Sequence, residues 1–399
     1  MQTSPFESLI TGRKTSLFQE DIEKHYTAFQ EAFKNSSVAI IGAAGSIGYS
    51  VVREILRYQP KRMALIDLNE NNLVEVIRDL RSDVHLVMPE NFQTLPIGLG
   101  SYECSHFFTE SKHFDYIFNL SAVKHVRSEK DKYSLLRMID TNNLFLFDFL
   151  QSLKYKAQKF FSVSSDKAVN PGNLMGASKC LMENIMGYFS EKQVWSSARF
   201  ANVAFSLGSL PYGFLNRIEK KQALAAPNDV KRFFISHEEA AQLCILSAVL
   251  AKNTEVFFPK LQSELNESTF SDLAVNLLKH LGYEAVLCGS DEEARSLCES
   301  LIPQKKWPCY FSASNTEGEK GFEEFYSHTE KVDLSRFSSV GVVKSLSSRD
   351  AKSLLEFLEF HNQARRSGQY TKEDYIRYFE KLVPGFAHVQ QTGNLDGKM

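Results

Sequence analysis

Val38-Ala39-Ile40-Ile41-Gly42-Ala43-Ala44-Gly45-Ser46-Ile47-Gly48 is a short apolar run, rich in β-branched residues, that passes directly into a glycine-rich turn. Val51, Ile55 and Leu56 then recur at helical spacing. The pattern predicts strand, turn, helix. A chain leaving a buried parallel strand in this way must bend sharply, and glycines leave its backbone bare to an approaching pyrophosphate. The following helix offers unpaired N–H groups and the positive end of its dipole to that anion. Gly42, Gly45, Ser46, Ile47 and Gly48 are therefore candidate cofactor-binding residues.

Working outward, Met63-Ala64-Leu65-Ile66 reads as a second strand and ends in Asp67, nineteen positions after Gly48. A carboxylate there accepts hydrogen bonds from adenosine ribose hydroxyls and repels a 2′-phosphate, which favours NAD over NADP. Asn71 to Asp83 reads as a crossover helix, with Leu73, Val76, Ile77 and Leu80 on one face. A weaker strand follows at Thr94 to Leu99, and a stronger one at Phe114 to Leu120. Leu120, Ser121 and Ala122, at the end of that strand, face the cofactor, and Lys124 and His125 follow them. Lys132 to Leu153 is a long helix whose apolar surface is interrupted by Thr141-Asn142-Asn143. Further strands are expected at Phe160 to Ser165, Ser197 to Asn202 and Val256 to Phe258, with helices at Cys180 to Phe189 and His237 to Leu250. Alternation of this kind calls for an α/β fold, a Rossmann doubly wound parallel sheet with right-handed crossovers.

The chain, at 399 residues, suits more than one lobe, and 43% apolar residues suffice for a large core. Residues 1–36 are expected to form an N-terminal helical extension, with Ser16 and Gln19 as a capping box before Phe18, Ile22, Tyr26, Phe29 and Phe33. Residues 37–203 form the NAD-binding domain, with later returns near 234–258. Residues 204–345 are expected to form a smaller mixed α/β substrate-binding lobe, and 346–399 a C-terminal helical extension. Lys plus Arg, at 46, nearly balance Asp plus Glu, at 48, so no overall field draws the protein to nucleic acid or an anionic membrane. No segment approaches eighteen uninterrupted apolar residues, and the N-terminus lacks an apolar signal core. A cytoplasmic protein with reduced cysteines and no metal site is expected, and helices near the ends suggest a homo-oligomer.

Met175-Gly-Ala-Ser-Lys179 resembles the Tyr-x-x-x-Lys helix of short-chain dehydrogenases with methionine in place of tyrosine. A thioether has no proton to exchange, so alcohol–ketone chemistry cannot pass through Met175. Asp166-Lys167, nine residues earlier at a strand end, is the obvious replacement: an acid and an amine side by side shift each other's proton affinity.

Asn119-Leu-Ser-Ala-Val-Lys124-His125-Val126, Ser164-Ser-Asp166-Lys167-Ala-Val-Asn170-Pro171, Met175-Gly-Ala-Ser-Lys179 and Arg199-Phe-Ala-Asn202-Val203 together resemble the UDP-N-acetylglucosamine 4,6-dehydratases of the extended short-chain dehydrogenases. The similarity runs from about Ser37 to about Lys260, with a fainter echo at Gly318-Glu319-Lys320. It implies surface-polysaccharide or glycan biosynthesis on a tightly bound, recycled NAD: oxidation at C4, loss of water across C5 and C6, and hydride return to C6 with C5 configuration retained. By the same resemblance Asp166 protonates the leaving C6 hydroxyl, Lys167 is the C5 base, Ser165 binds the C4 oxygen and Lys179 grips the nicotinamide ribose. Asn202 would meet the pyrophosphate, Lys124 would lie near the substrate, and Arg232 and Glu319 would take uridine ribose or phosphates. His125, beside Lys124, is a candidate substrate contact, with a structural role at a helix start as the alternative. The sequence departs from the family pattern in having serine at 165 where threonine is common, in lacking an acid near Leu99-Gly100, and in reducing the usual Arg-Pro-Gly-Glu-Lys to Thr316-Glu317-Gly318-Glu319-Lys320. A nucleotide-sugar 4-epimerase and a catalytically silent NAD-binding regulator are the alternatives. Epimerases ordinarily keep the tyrosine, and a silent protein has little reason to keep the charged pair.

Overall fold

A computed structural model describes residues 5–111, 113–261, 267–314, 324–344 and 350–388. Six parallel strands, β1 (Ser37–Ile41), β2 (Arg62–Ile66), β3 (Asn91–Leu95), β4 (Tyr116–Asn119), β5 (Lys159–Ser165) and β6 (Trp195–Phe200), lie in the order β3-β2-β1-β4-β5-β6. The order reverses between β1 and β4, which opens a crevice above their carboxyl ends. Register brings those ends level, with Ile41 opposite both Ile66 and Asn119, and Asn119 opposite Ser162. The doubly wound α/β fold expected from the glycine turn is the observed one.

The sheet continues beyond β6. Glu255–Pro259 adds in parallel, and Val340–Val343 and Val332–Asp333 close the edge antiparallel. Residues 332–343, grouped by sequence with the second lobe, thus complete the main sheet. Their pairing joins Val256 to Val343, a contact between distant stretches that no local pattern announces. A smaller core of Phe214, Leu224, Leu277 and Trp307 lies under a three-stranded sheet of Leu224–Pro227, Lys306–Ser312 and Glu284–Leu287.

Several expected boundaries move. The third strand is Asn91–Leu95 rather than Thr94 to Leu99, because Pro96 has no N–H to continue the ladder. The strand expected to run to Asn202 leaves the main sheet after Phe200, and Asn202–Val203 pairs instead with Lys231–Ile235. Ser16 caps no helix: its hydroxyl donates to Gln242, and helix Gln19–Lys24 starts after Phe18 without a side-chain cap. A second helix, Tyr26–Phe33, follows the break at His25. Both pack on the main domain, where Phe18, Phe29 and Phe33 are fully buried and Asp21 accepts the Ser338 and Ser339 N–H groups at 2.8 and 2.7 Å. Among the described residues no helix is long and apolar enough to cross a membrane.

The long helix from Lys132 carries a π-turn, Asp140–Leu144, at the polar interruption already visible in its sequence. The helix expected from Cys180 begins earlier, at Leu174, where the Asn173 side chain accepts the Gly176 N–H at 2.8 Å. Met175 and Lys179 therefore sit in its first turns.

Candidate active site

The glycine turn forms a tight cradle. Gly42 adopts a φ of +83°, and a Cβ there would lie 2.7 Å from the Leu120 carbonyl carbon. At Gly48 a Cβ would lie 2.0 Å from the Gly42 oxygen, which fixes how closely helix Ser46–Leu56 packs on β1. No side chain caps this helix at Gly45, so its first-turn donors face the crevice. Asp67 ties the turn to the end of β2 by accepting N–H groups from Ala44 at 3.0 Å and Asn69 at 2.9 Å. A bare, positive helix end with a carboxylate beyond it fits a dinucleotide. Gly42→Ala is expected to weaken NAD binding by about tenfold or more, through left-handed strain and the clash with Leu120. Calorimetric titration with NAD, with circular dichroism to confirm the fold, checks it.

A cavity of about 470 Å³ runs from this cradle across the sheet ends. Gly42, Gly45, Ser46, Ile47 and Gly48 line one end of it, with Leu120 and Ala122 beside them. Ser165, Asp166, Lys167, Met175 and Lys179 line its floor. Ser121 stands at its edge, with its N–H donating to the Asn119 side chain at 3.3 Å.

The acid–amine pair sits where β5 ends and a short 3-10 turn, Asp166–Ala168, begins. Asp166 is 4% exposed. Its Oδ1 accepts the Ser165 hydroxyl at 2.6 Å, and both its oxygens accept from Lys167 Nζ at 3.2 Å. Ser165 Oγ in turn accepts the Lys167 N–H at 3.1 Å. One third of the Lys167 side chain remains open to the cavity at 33% exposure, so the ammonium can meet a ligand while the carboxylate stays dry. Met175 is 2% exposed and supplies an apolar wall. At Gly176 a Cβ would lie 2.4 Å from the Lys167 carbonyl oxygen, so the helix and the Asp166–Ala168 turn can meet this closely only without a side chain.

Lys179 is buried, with 5% exposure, and donates to the Val163 carbonyl at 3.2 Å. Burial pulls its pKa from 10.5 down to about 8, with Glu183 opposing the shift. A lysine whose folded pKa is lowered destabilises the fold fully below about 8, and the cost is relieved as pH rises from there towards 10.5. In nucleotide-free protein Lys179→Met is therefore expected to be more stable than wild type at neutral pH, with an advantage that shrinks as pH climbs through this window. Urea midpoints across the range measure it.

The remaining expected residues are spread more widely. Lys124 and His125 are exposed at the cavity mouth, where surrounding protein lowers the pKa of each; the neighbouring Lys124 charge adds to the effect on His125. Gly208 abuts the His125 ring. Asn202 lines the cavity, carried there by the change of sheet after Phe200. Arg232 does not line it: the side chain is buried in a strand, where it donates to the Lys231 carbonyl at 2.8 Å. Glu319 lies outside the described residues.

Two supports escaped the sequence reading. Behind β5, Arg199 makes a bidentate pair with Glu183 at 3.0 and 2.8 Å and a further pair with Glu330 at 2.7 Å, while Ser164 donates to Glu183 at 2.6 Å. Arg199 was visible as a motif member, but nothing near it in sequence marks Glu330 as its partner. In the π-turn, Asn142 brackets Val123 by accepting its N–H and donating to its carbonyl, each at 3.0 Å, and reaches the Ser178 hydroxyl at 2.9 Å. The break in apolar periodicity at Asn142 was the available signal.

Comparison with known proteins places this geometry among relatives. A family model described as "Polysaccharide biosynthesis protein" matches residues 38–345. The capsular polysaccharide biosynthesis protein CapD of Staphylococcus aureus is 26% identical over 67% of this chain and 44% of its own length. This chain thus spans less than half of that relative. A UDP-glucose 4-epimerase of Rickettsia bellii is 25% identical over 75% of this chain and 93% of its own. The crystal structure of Pen from Bacillus thuringiensis superposes with a TM-score of 0.63 at 22% identity, covering 85% of this chain and 99% of that one, and shares the fold. The family match begins on β1, takes in the whole cavity floor and ends just past the last strand of the main sheet, and the chain belongs to the polysaccharide biosynthesis protein family.

Proposed function

We propose that this protein is an NAD-dependent nucleotide-sugar 4,6-dehydratase acting on UDP-N-acetylglucosamine in surface polysaccharide or glycan biosynthesis. The observation that carries the reading is the Ser165–Asp166–Lys167 cluster, hydrogen-bonded within itself and sharing one cavity with the glycine cradle and a proton-inert Met175. The family membership and the curated relatives are consistent with it. Bound NAD would be held by Gly42, Gly45, Gly48, Asp67 and Lys179, and would take a hydride from sugar C4 and return it to C6.

The residues of the chain would do the rest. Asp166, entering as carboxylate, takes the C4 hydroxyl proton, with Ser165 holding that oxygen. The new ketone makes the C5 proton acidic, and Lys167, once its ammonium proton has left to solvent through the open side of the cavity, removes it as the amine. Asp166 gives its proton to the C6 oxygen, which departs as water. Lys167 returns a proton to the same face of C5, so configuration is retained, and once the amine regains its proton from solvent both groups end as they began. Enclosure of the carboxylate strengthens each of these transfers relative to water.

The 25% identity to an epimerase along most of its length keeps a 4-epimerase as the second reading. That reaction needs no acid at C6. Incubating purified protein with UDP-N-acetylglucosamine and following the nucleotide sugar by mass and by proton nuclear magnetic resonance separates them. A mass lower by one water supports dehydration, an isomer of unchanged mass supports epimerisation, and unchanged substrate supports a silent NAD-binding protein.

A further inference from the structure

Helices Ala351–Ser367 and Lys372–Leu382 lie beyond the span of the family match, which ends at residue 345, yet the second of them packs on helix Leu174–Tyr188, whose Met175 and Lys179 line the cavity. His361 is wholly buried, with Nδ1 2.6 Å from the Tyr375 hydroxyl and Nε2 2.9 Å from Asp140 Oδ1. Arg365 Nε meets the same Asp140 oxygen at 2.9 Å. Asp140 opens the π-turn, and two residues later Asn142 holds the backbone of Val123 and the hydroxyl of Ser178, while Asn143 donates to the Ser178 carbonyl at 2.8 Å. Val123 lies between Ala122 and Lys124 on the cavity wall, and Ser178 precedes Lys179 on its floor. A π-turn has an extra residue to accommodate, so its phase is set by what grips it.

We propose that His361 and Arg365 are positioning residues: by fixing Asp140 they set the phase of the π-turn, and through Asn142 they set the separation of the Lys124 loop from Lys179. The C-terminal helices thereby govern the geometry of the cavity without touching its contents. A merely structural role would loosen only the C-terminal helices themselves.

Hydrogen exchange of the full chain distinguishes the two, using His361→Phe and the milder Arg365→Gln. The expected result is amide exchange about threefold faster or more in segments 120–126 and 174–180, with His361→Phe the larger effect and His361→Gln, which keeps a donor, restoring protection. Faster exchange confined to 351–382 overturns the proposal, as does unchanged exchange throughout. The activity arm rests on the dehydratase reading: kcat falls about tenfold or more in His361→Phe with KM for the nucleotide sugar unchanged. A wild-type protein that fails to dehydrate the sugar overturns that reading alone, since the exchange experiment still decides this one.

Discussion

Lys167→Ala is expected to lower dehydration of UDP-N-acetylglucosamine by about 10²–10⁴-fold, the usual worth of a positioned acid or base. Removal of the amine leaves no other group in the cluster able to take the C5 proton, because Asp166 is committed to the oxygen atoms and Ser165 already donates to Asp166 at 2.6 Å. Asp166→Asn should fall as far, since an amide can neither accept the C4 proton nor deliver one to C6. Neither change touches the glycine cradle, which leaves the end of β1 with β4 between it and β5, so NAD content should match wild type. Met175→Leu is the control: a volume-conserving swap costs under about 1.5 kcal/mol in packing and removes no proton carrier. Initial rates and the NAD retained after gel filtration check all three, and wild-type turnover by either polar variant would remove the pair from the reaction.

Arg199→Met is expected to cost about 3–5 kcal/mol of stability, because it strands two buried carboxylates. Arg199 is 3% exposed in its side chain, Glu183 also 3% and Glu330 7%. The guanidinium also donates to the Phe325 carbonyl at 2.9 Å, so it ties segment 325–330 to the back of β5. Lysine cannot reproduce that fork, and Arg199→Lys should recover only part of the loss. With the guanidinium gone, nothing holds Glu183 in place as the acceptor that steadies Ser164 just before Ser165, so residual folded protein should also be slow. Urea denaturation at neutral pH measures the effect; a loss below about 1 kcal/mol would mean that solvent already screens the triad.

What could be read from the sequence is what depends on neighbours along the chain. The turn at Gly42–Gly48 was legible because a strand, a bare backbone and a helix must follow one another there in a fixed order. Asp166 and Lys167 were legible because they adjoin, and because Met175 removed the usual proton carrier. The start of the helix that carries Met175 and Lys179 was misjudged by six residues, from Cys180 to Leu174, although Asn173 is a good cap. What was not legible depends on partners far apart in sequence: Glu330 on Arg199, Asp21 on Ser338, His361 on Asp140, and Val343 on Val256. Ser16 illustrates the reverse error: its hydroxyl accepts the Phe18 N–H at 3.1 Å while donating to the distant Gln242, but the helix itself starts only at Gln19. The interruption at Asn142 falls between the two kinds, because the polar residue was visible but the backbone it grips was not.

The most direct test of the proton route through Asp166 and Lys167 is the fate of the sugar C5 hydrogen, followed by nuclear magnetic resonance while wild-type protein converts UDP-N-acetylglucosamine in deuterated water. Lys167 exchanges its protons with solvent before returning one, so the product should be a 4-keto-6-deoxy sugar carrying deuterium at C5 with the configuration unchanged. A product that keeps its original C5 proton, or one with C5 inverted, would contradict the account.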